Sequence, residues 1–178
     1  MKSKTQIKRL TRISLLAALM CVIAPLALPI GALPLTLGSF CLYLIALLIS
    51  PWEGVLAVCV YLTVGMLGIP VFSGFCGGVQ MLVSPTGGFL LAYLPAVFFA
   101  SFLASKVRTS HVYRALSLFG GTVLLYVGGG VGYVFFAGMP FDFSLFLLLL
   151  PFFLGEVLKV AAALLIFARL APFFEKRS

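Results

Sequence analysis

The stretch FLLLLPFFLGEVLKVAAALLIFARL, residues 146–170, is an apolar run interrupted by Glu156 and Lys159. Its length suffices for a membrane helix, which needs about 20 apolar residues. In a helix, the spacing of these two residues places both charges on one face, one turn apart. A charge at the bilayer centre costs roughly 2.5–3.5 kcal/mol on insertion scales, so such residues usually serve a function. We expect a polar ligand site; the alternatives are a structural ion pair or a Lys159 that reaches the headgroups.

The composition of the whole chain indicates a membrane protein. Hydrophobic residues make up 63% of its 178 residues and charged residues only 9%, whereas soluble domains contain about 25% charged residues. The net charge of +8 is concentrated in residues 2–12, 106–114 and 169–177, which flank apolar segments. This is the pattern of the positive-inside rule. We therefore expect contact with a lipid bilayer and no nucleic-acid partner.

Six apolar segments predict an all-α integral membrane protein, a six-transmembrane-helix bundle forming a single domain over residues 1–178. The approximate spans are 12–29, 38–50, 53–70, 85–105, 115–138 and 143–171. The second span is short, and its boundaries are the least defined. With six spans, all three basic clusters lie on one side of the membrane, so both termini are expected in the cytoplasm.

The loops on the outer side lie near residues 30–37, 71–84 and 139–142, and the first two are rich in Gly and Pro. Non-helical backbone near a bilayer has to be buried in protein or face a wet cavity. We expect these loops to cap the bundle over a ligand pocket; the alternative is loosely ordered connectors.

Small residues recur on two of the predicted helices. In the fifth segment they include Gly128 and Gly132, a GxxxG spacing that lets two helix backbones approach closely. We expect this face to pack inside the bundle. Ser14 and Ala18 form a similar pair in the first segment, whose partner the spacing alone does not identify.

Motifs for catalysis and metal binding are missing from the sequence. There is no GxxxxGK[ST] phosphate loop, no HExxH and no GxSxG, and the four acidic residues are scattered. The four cysteines form no CxxC pair and have no nearby His, so neither disulfides nor zinc are expected. We expect no enzyme activity, no cofactor and no metal site.

Three motifs resemble the BioY family, the biotin-binding membrane subunits (S components) of energy-coupling-factor (ECF) transporters. Residues 68–93, GIPVFSGFCGGVQMLVSPTGGFLLAY, resemble the family's GLPVF-type helix end, its Gly-rich loop and its PTGGY-type helix start. Residues 151–159, PFFLGEVLK, resemble its PFxxGDxxK motif, with Glu156 in place of Asp. Residues 33–37, LPLTL, resemble its first loop.

The resemblance implies a vitamin-importer subunit in the bacterial plasma (inner) membrane. It would capture biotin from the outer side and deliver it inward with a separate ECF scaffold membrane subunit and two ATPase subunits. Glu156 can accept hydrogen bonds from the ureido N–H groups of biotin, and Lys159 can pair with its carboxylate. The substrate-binding residues expected on this basis are Glu156, Lys159, Gly77, Gly78, Gln80, Ser84, Thr86, Gly87 and Tyr93.

The small face of the first helix is expected to dock on the scaffold subunit. Its residues are Ser14, Ala17, Ala18 and Cys21. Two other functions remain open. The same fold could bind another small vitamin or precursor such as dethiobiotin, or the chain could be a membrane assembly or scaffold protein without a ligand.

Overall fold

The computed structural model describes residues 2–30, 33–106, 111–138 and 143–175. Within these ranges the chain forms six α-helices and one two-stranded hairpin. The helices are α1 Lys2–Ile23, α2 Gly38–Leu48, α3 Pro51–Met66, α4 Gly87–Lys106, α5 His111–Ala137 and α6 Phe143–Glu175, and the strands are β1 Ala27–Ile30 and β2 Leu33–Thr36. The predicted helical bundle is confirmed, while the loop predicted at residues 139–142 lies outside the described residues.

The first predicted span, 12–29, has the wrong boundaries. Helix α1 extends from Lys2 to Ile23, and the chain then folds back as an antiparallel hairpin in which Ala27 pairs with Thr36 and Ile30 with Leu33. Pro25 disfavours helical backbone at the residue before it, so the helix ends there although the sequence stays apolar. The first outer connection therefore contains a hairpin.

The second predicted span, 38–50, is short in the structure, as expected. Among the described residues, Gly87–Lys106 and Val112–Ala137 are the two helices long and apolar enough to cross a bilayer. Helix α2 has 11 residues and extends about 16 Å at 1.5 Å per residue. That is roughly half of a 30 Å hydrocarbon core. Pro51, the first residue of α3, interrupts the apolar run and shortens α2.

Helix α2 occupies the centre of the bundle and packs against each of the other helices described. Every residue from Cys41 to Ala46 is buried, and the helix starts one residue after the hairpin. Polar side chains on α2 are therefore enclosed on all sides. The position of this helix decides where a site can form.

The α4–α5 contact confirms that the glycines of the fifth segment serve internal packing. A Cβ atom on Gly88 would lie 2.6 Å from the Gly132 Cα, and one on Gly128 would lie 2.6 Å from the Ala92 Cβ. A substitution at either glycine would therefore force the helices apart. The GxxxG spacing holds α4 and α5 in close backbone contact.

The connection between α3 and α4, residues 67–86, is the third loop of the chain, and it is folded onto the bundle, as predicted. Its Gly78 N–H donates to the Gly65 carbonyl at 2.7 Å, and its Gly74 N–H donates to the Pro25 carbonyl at 3.0 Å. Phe72 is fully buried, with its ring centroid 5.6 Å from that of Tyr61. The loop and the connection that leads into the hairpin therefore meet at one end of the bundle, here called the hairpin end.

Candidate functional site

Glu156 and Lys159 form a buried ion pair on α6. The Lys159 Nζ lies 2.7 Å from Glu156 Oε1, and the two residues are only 7% and 6% exposed. Helix α6 begins at Phe143, so Glu156 lies about 20 Å along the helix axis from its start. The one-turn spacing predicted from the sequence is confirmed, and both charges face the protein interior.

Helix α2 supplies two hydroxyl groups to this pair. Ser39 Oγ donates to Glu156 Oε1 at 2.9 Å and accepts from Lys159 Nζ at 2.9 Å. The Tyr43 hydroxyl donates to the other carboxylate oxygen, Glu156 Oε2, at 2.6 Å. Ser39 and Tyr43 are four residues apart, so they lie on one face of α2. That face is the one that α2 turns toward α6.

Thr122 on α5 extends the polar cluster to a third helix. Its Oγ1 lies 2.6 Å from the Tyr43 hydroxyl and 2.9 Å from the Leu118 carbonyl oxygen, to which it can donate. We call Ser39, Tyr43, Thr122, Glu156 and Lys159 the polar cluster. Its members are all buried and come from helices α2, α5 and α6.

Aromatic side chains line α4, α5 and α6 close to this cluster. The Tyr126 ring lies between Phe89 and Phe153, with centroid distances of 6.2 and 6.5 Å and edge-on geometry. Tyr93, one of the predicted site residues, is buried, and its hydroxyl lies against Gly38, next to Ser39 in the chain. A few polar groups beside aromatic surface are typical of small-molecule sites.

The predicted loop residues have their hydrogen bonds within the loop. The Gln80 side chain donates to the Gly77 carbonyl at 3.0 Å, and Ser84 Oγ donates to the Met81 carbonyl at 2.7 Å and lies 3.0 Å from Thr86 Oγ1. In the part of the chain that the structure describes, no hydrogen bond joins these three side chains to the polar cluster.

The predicted glycines allow the loop backbone to pack closely. A Cβ atom on Gly77 would meet the backbone of Gly68 and Ile69, and one on Gly87 would collide with the Leu82 carbonyl. Gly78 has a φ of 99°, which favours glycine over residues with a side chain. Glycine is therefore required at these three positions for the loop to adopt this conformation.

The predicted docking face on α1 needs one correction. Ala17 is only 2% exposed and packs in the core, so it cannot contribute to an outward-facing surface. Ser14 and Ala18 are exposed, and Cys21 is half-buried. Ala17 and Ala18 are about 100° apart around a helix, which turns one inward and the other outward.

Glu53 is the other buried acid in the described residues. It is paired at the end of the bundle opposite the hairpin end. It accepts a hydrogen bond from the Arg9 guanidinium, whose side chain is 58% exposed. Glu53 also lies in the first turn of α3, where the helix dipole favours a negative charge. This pair joins α1 to α3 and lies outside the polar cluster.

Sequence reasoning missed Ser39, Tyr43 and Thr122. One signal was present: Ser39 and Tyr43 lie four residues apart in an otherwise apolar helix, GSFCLYLIALL. Thr122 had no such signal, because a lone threonine in a membrane helix can bond its own backbone. Only the packing of α2 between α5 and α6 identifies it.

The fold and the polar cluster define a helical membrane protein that encloses a charged site within its bundle. The BioY family model matches residues 1–176, and the chain belongs to the BioY family.

Relatives and a solved structure agree with this assignment. A probable biotin transporter BioY of Pyrococcus horikoshii is 36% identical over 163 residues, 92% of this chain and 96% of the relative. Biotin transporter BioY2 of Lactococcus lactis subsp. cremoris is 35% identical over 155 residues, 87% and 85% of the two chains. The S-component for biotin from an ECF-type ABC transporter aligns with a TM-score of 0.89 and 25% identity, covering 97% of this chain and 95% of that one. These proteins are transporters and not enzymes.

Proposed function

We propose that this chain is the substrate-binding subunit of a biotin importer and that the polar cluster is its substrate site. The observation that carries the proposal is the buried Glu156–Lys159 pair, which receives two hydroxyl groups from α2. Burying a charged pair costs more than an apolar core of the same volume would, so stability alone does not account for it. Relatives named as biotin transporters support biotin as the ligand.

The chemistry of biotin matches the groups of the cluster. Its ureido ring carries two N–H donors, and Glu156 is an acceptor held in place by Ser39 and Tyr43. Its fused rings are apolar and fit the aromatic side chains Phe89, Tyr126 and Phe153. Its tail ends in a carboxylate. We assign this carboxylate to Lys159, whose ammonium has three donors, two of them used by Ser39 and Glu156. The flexible tail has to fold back to make this contact, because Lys159 Nζ lies 2.7 Å from Glu156 Oε1.

The hairpin end would be the entrance. Both the hairpin and the third loop lie there, and the Gly74–Pro25 hydrogen bond joins the third loop to the connection that precedes the hairpin. Gln80, Ser84, Thr86 and Tyr93 carry polar side chains in the third loop and near the start of α4, and we assign them secondary contacts with the ligand. Biotin would enter from the outer side of the bacterial inner membrane, with both termini in the cytoplasm.

Import also requires an energy source, which this sequence does not encode, because it has no phosphate loop. We propose that an ECF scaffold membrane subunit and two ATPase subunits supply it. The scaffold would dock on the exposed small residues of α1, Ser14 and Ala18, with Cys21 at the edge of the same face. Small residues allow two helices in a membrane to approach closely.

Thermal unfolding of the detergent-purified chain against a vitamin panel that includes biotin and dethiobiotin tests this function. A ligand that binds only the native state stabilises it by about 2.7 kcal/mol at a hundredfold excess over Kd. We expect biotin to raise Tm. A rise with another vitamin alone would keep the fold and change the substrate, and no rise in a folded protein would favour a ligand-free assembly protein.

A further inference from the structure

A series of hydroxyl groups connects α5 through α2 to the carboxylate on α6. Thr122 Oγ1 lies 2.6 Å from the Tyr43 hydroxyl, which lies 2.6 Å from Glu156 Oε2. Tyr43 and Thr122 are both fully enclosed by the bundle. Helix α5 is therefore linked through Tyr43 of α2 to one carboxylate oxygen on α6, and this oxygen is not the one that bonds to Lys159.

The hydrogens in this series have a defined direction. A carboxylate paired with an ammonium can only accept, so the single phenol hydrogen of Tyr43 is directed at Glu156. A hydrogen between Tyr43 and Thr122 then comes from Thr122, whose single hydroxyl hydrogen also has the Leu118 carbonyl, 2.9 Å away, as an acceptor. Hydrogen bonds that run in one direction polarise one another and become stronger in a low-dielectric interior. When Thr122 donates to Tyr43, it strengthens the bond that Tyr43 makes to Glu156.

The two oxygens of Glu156 are held by different partners. Ser39 and Lys159 bond to Oε1, while Tyr43 bonds to Oε2. Rotation about the terminal torsion of Glu156 moves both oxygens, and this sp³–sp² torsion is broad, so the bonds to Oε1 and the bond to Oε2 restrain it together. Tyr43 thus supplies the restraint at Oε2 and helps to hold the plane of the carboxylate, which sets the direction in which its lone pairs point.

We propose that Tyr43, itself held by Thr122, is a positioning residue that orients the Glu156 carboxylate toward the N–H donors of the ligand. This inference rests on the proposed function, in which Glu156 accepts from a urea-type ring. It assigns the direction of the one Glu156 lone pair left for a ligand N–H to a residue on α2 that needs no contact with the ligand.

A double-mutant cycle on biotin Kd tests the coupling. Tyr43→Phe keeps the ring and removes the donor, and Glu156→Asp withdraws the carboxylate from Tyr43. We expect Tyr43→Phe to weaken biotin on the order of tenfold in the parent chain, and less than about twofold in the Glu156→Asp chain, because coupled residues are non-additive. Equal losses in both chains would overturn the proposal, since they would indicate a packing effect.

Thr122 offers a matched pair of variants. Thr122→Val has a similar shape without the hydroxyl, and Thr122→Ser keeps the hydroxyl. We expect the valine variant to bind biotin several-fold more weakly and the serine variant to bind like the parent. Loss in the serine variant equal to that in the valine variant would contradict a role for the hydroxyl.

An infrared measurement tests the positioning without any ligand. The chain has three glutamates, Glu53, Glu156 and Glu175, so ¹³C-glutamate labelling and subtraction of the Glu156→Gln spectrum isolate the Glu156 carboxylate. We expect Tyr43→Phe to shift its antisymmetric stretching band, and an unchanged band would overturn the proposal. If the parent chain does not bind biotin, the proposed function fails while this band still decides the role of Tyr43.

Discussion

Ser39 on α2 donates a 2.9 Å hydrogen bond to Glu156 on α6, 117 residues further along the chain. The same hydroxyl accepts from Lys159, so it completes a closed triangle with the two charges. Ser39 is the second residue of α2 and comes shortly after the hairpin. The first outer connection is therefore linked through the backbone to the charged pair.

Replacing Ser39 with Ala should weaken biotin by on the order of tenfold, because a hydrogen bond to a charged group contributes roughly 1.5–3 kcal/mol. Isothermal titration of the purified chain measures the change. Ser101→Ala is the matched control, since Ser101 is also buried but bonds to the Ile49 carbonyl at 2.8 Å. Equal losses of biotin affinity in the two variants would refute a role for Ser39 in the site.

Removing one charge of the buried pair should destabilise the chain strongly. Glu156→Gln or Lys159→Met leaves the partner charge buried and unpaired, which costs roughly 3–5 kcal/mol. The double variant should cost less than the sum of the two single variants. Thermal unfolding without ligand measures this, with Glu53→Gln as the control, because its exposed partner Arg9 makes that pair weaker. Additive effects at Glu156 and Lys159 would contradict the pairing.

The role assigned to Lys159 predicts a difference between two ligands. Lys159→Met should reduce the affinity for biotin much more than the affinity for biotin amide, because only biotin has the charged tail that an ammonium attracts. Titrating both ligands against both proteins gives the comparison. The same fold loss for the two ligands would show that Lys159 does not bind the tail.

Gly132→Ala should lower stability by roughly 1–3 kcal/mol, because overpacking a close contact forces backbone shifts. A Cβ atom at this position would lie 2.5 Å from the Gly88 Cα. Val131→Ala is the control, since Val131 is its exposed neighbour on α5 and exposed positions change stability little. A parent-like Tm for Gly132→Ala would show that α4 and α5 pack less closely than the 2.5 Å approach at Gly88 indicates.

A bulky residue on the exposed face of α1 should block docking of the scaffold and leave biotin binding intact. Ala18→Trp tests this by co-purification with the scaffold subunit, and Val127→Trp, on the exposed side of α5, is the control. We expect only the α1 variant to lose the complex. Retention of the complex by Ala18→Trp would place the docking surface elsewhere.

Much of the fold could be predicted from the sequence because membrane helices follow from local hydrophobicity. The charge spacing on α6 and the GxxxG packing of α5 were predicted correctly. The hairpin was not, because residues 27–36 are as apolar as a helix and contain two prolines, which only mark a break. The short length of α2 was predicted, because Pro51 interrupts the apolar run in the sequence.

The sequence by itself determined the membrane class, the family resemblance and the one-turn spacing of Glu156 and Lys159, since composition, motifs and helical periodicity are local properties. Only the tertiary structure decided which hydroxyl groups meet these charges. Ser39, Tyr43 and Thr122 lie far from α6 in sequence, and α2 brings the first two to the pair by packing at the centre of the bundle. Tertiary structure also decided that Ala17 faces inward, because the rotation of a helix about its axis is set by its neighbours.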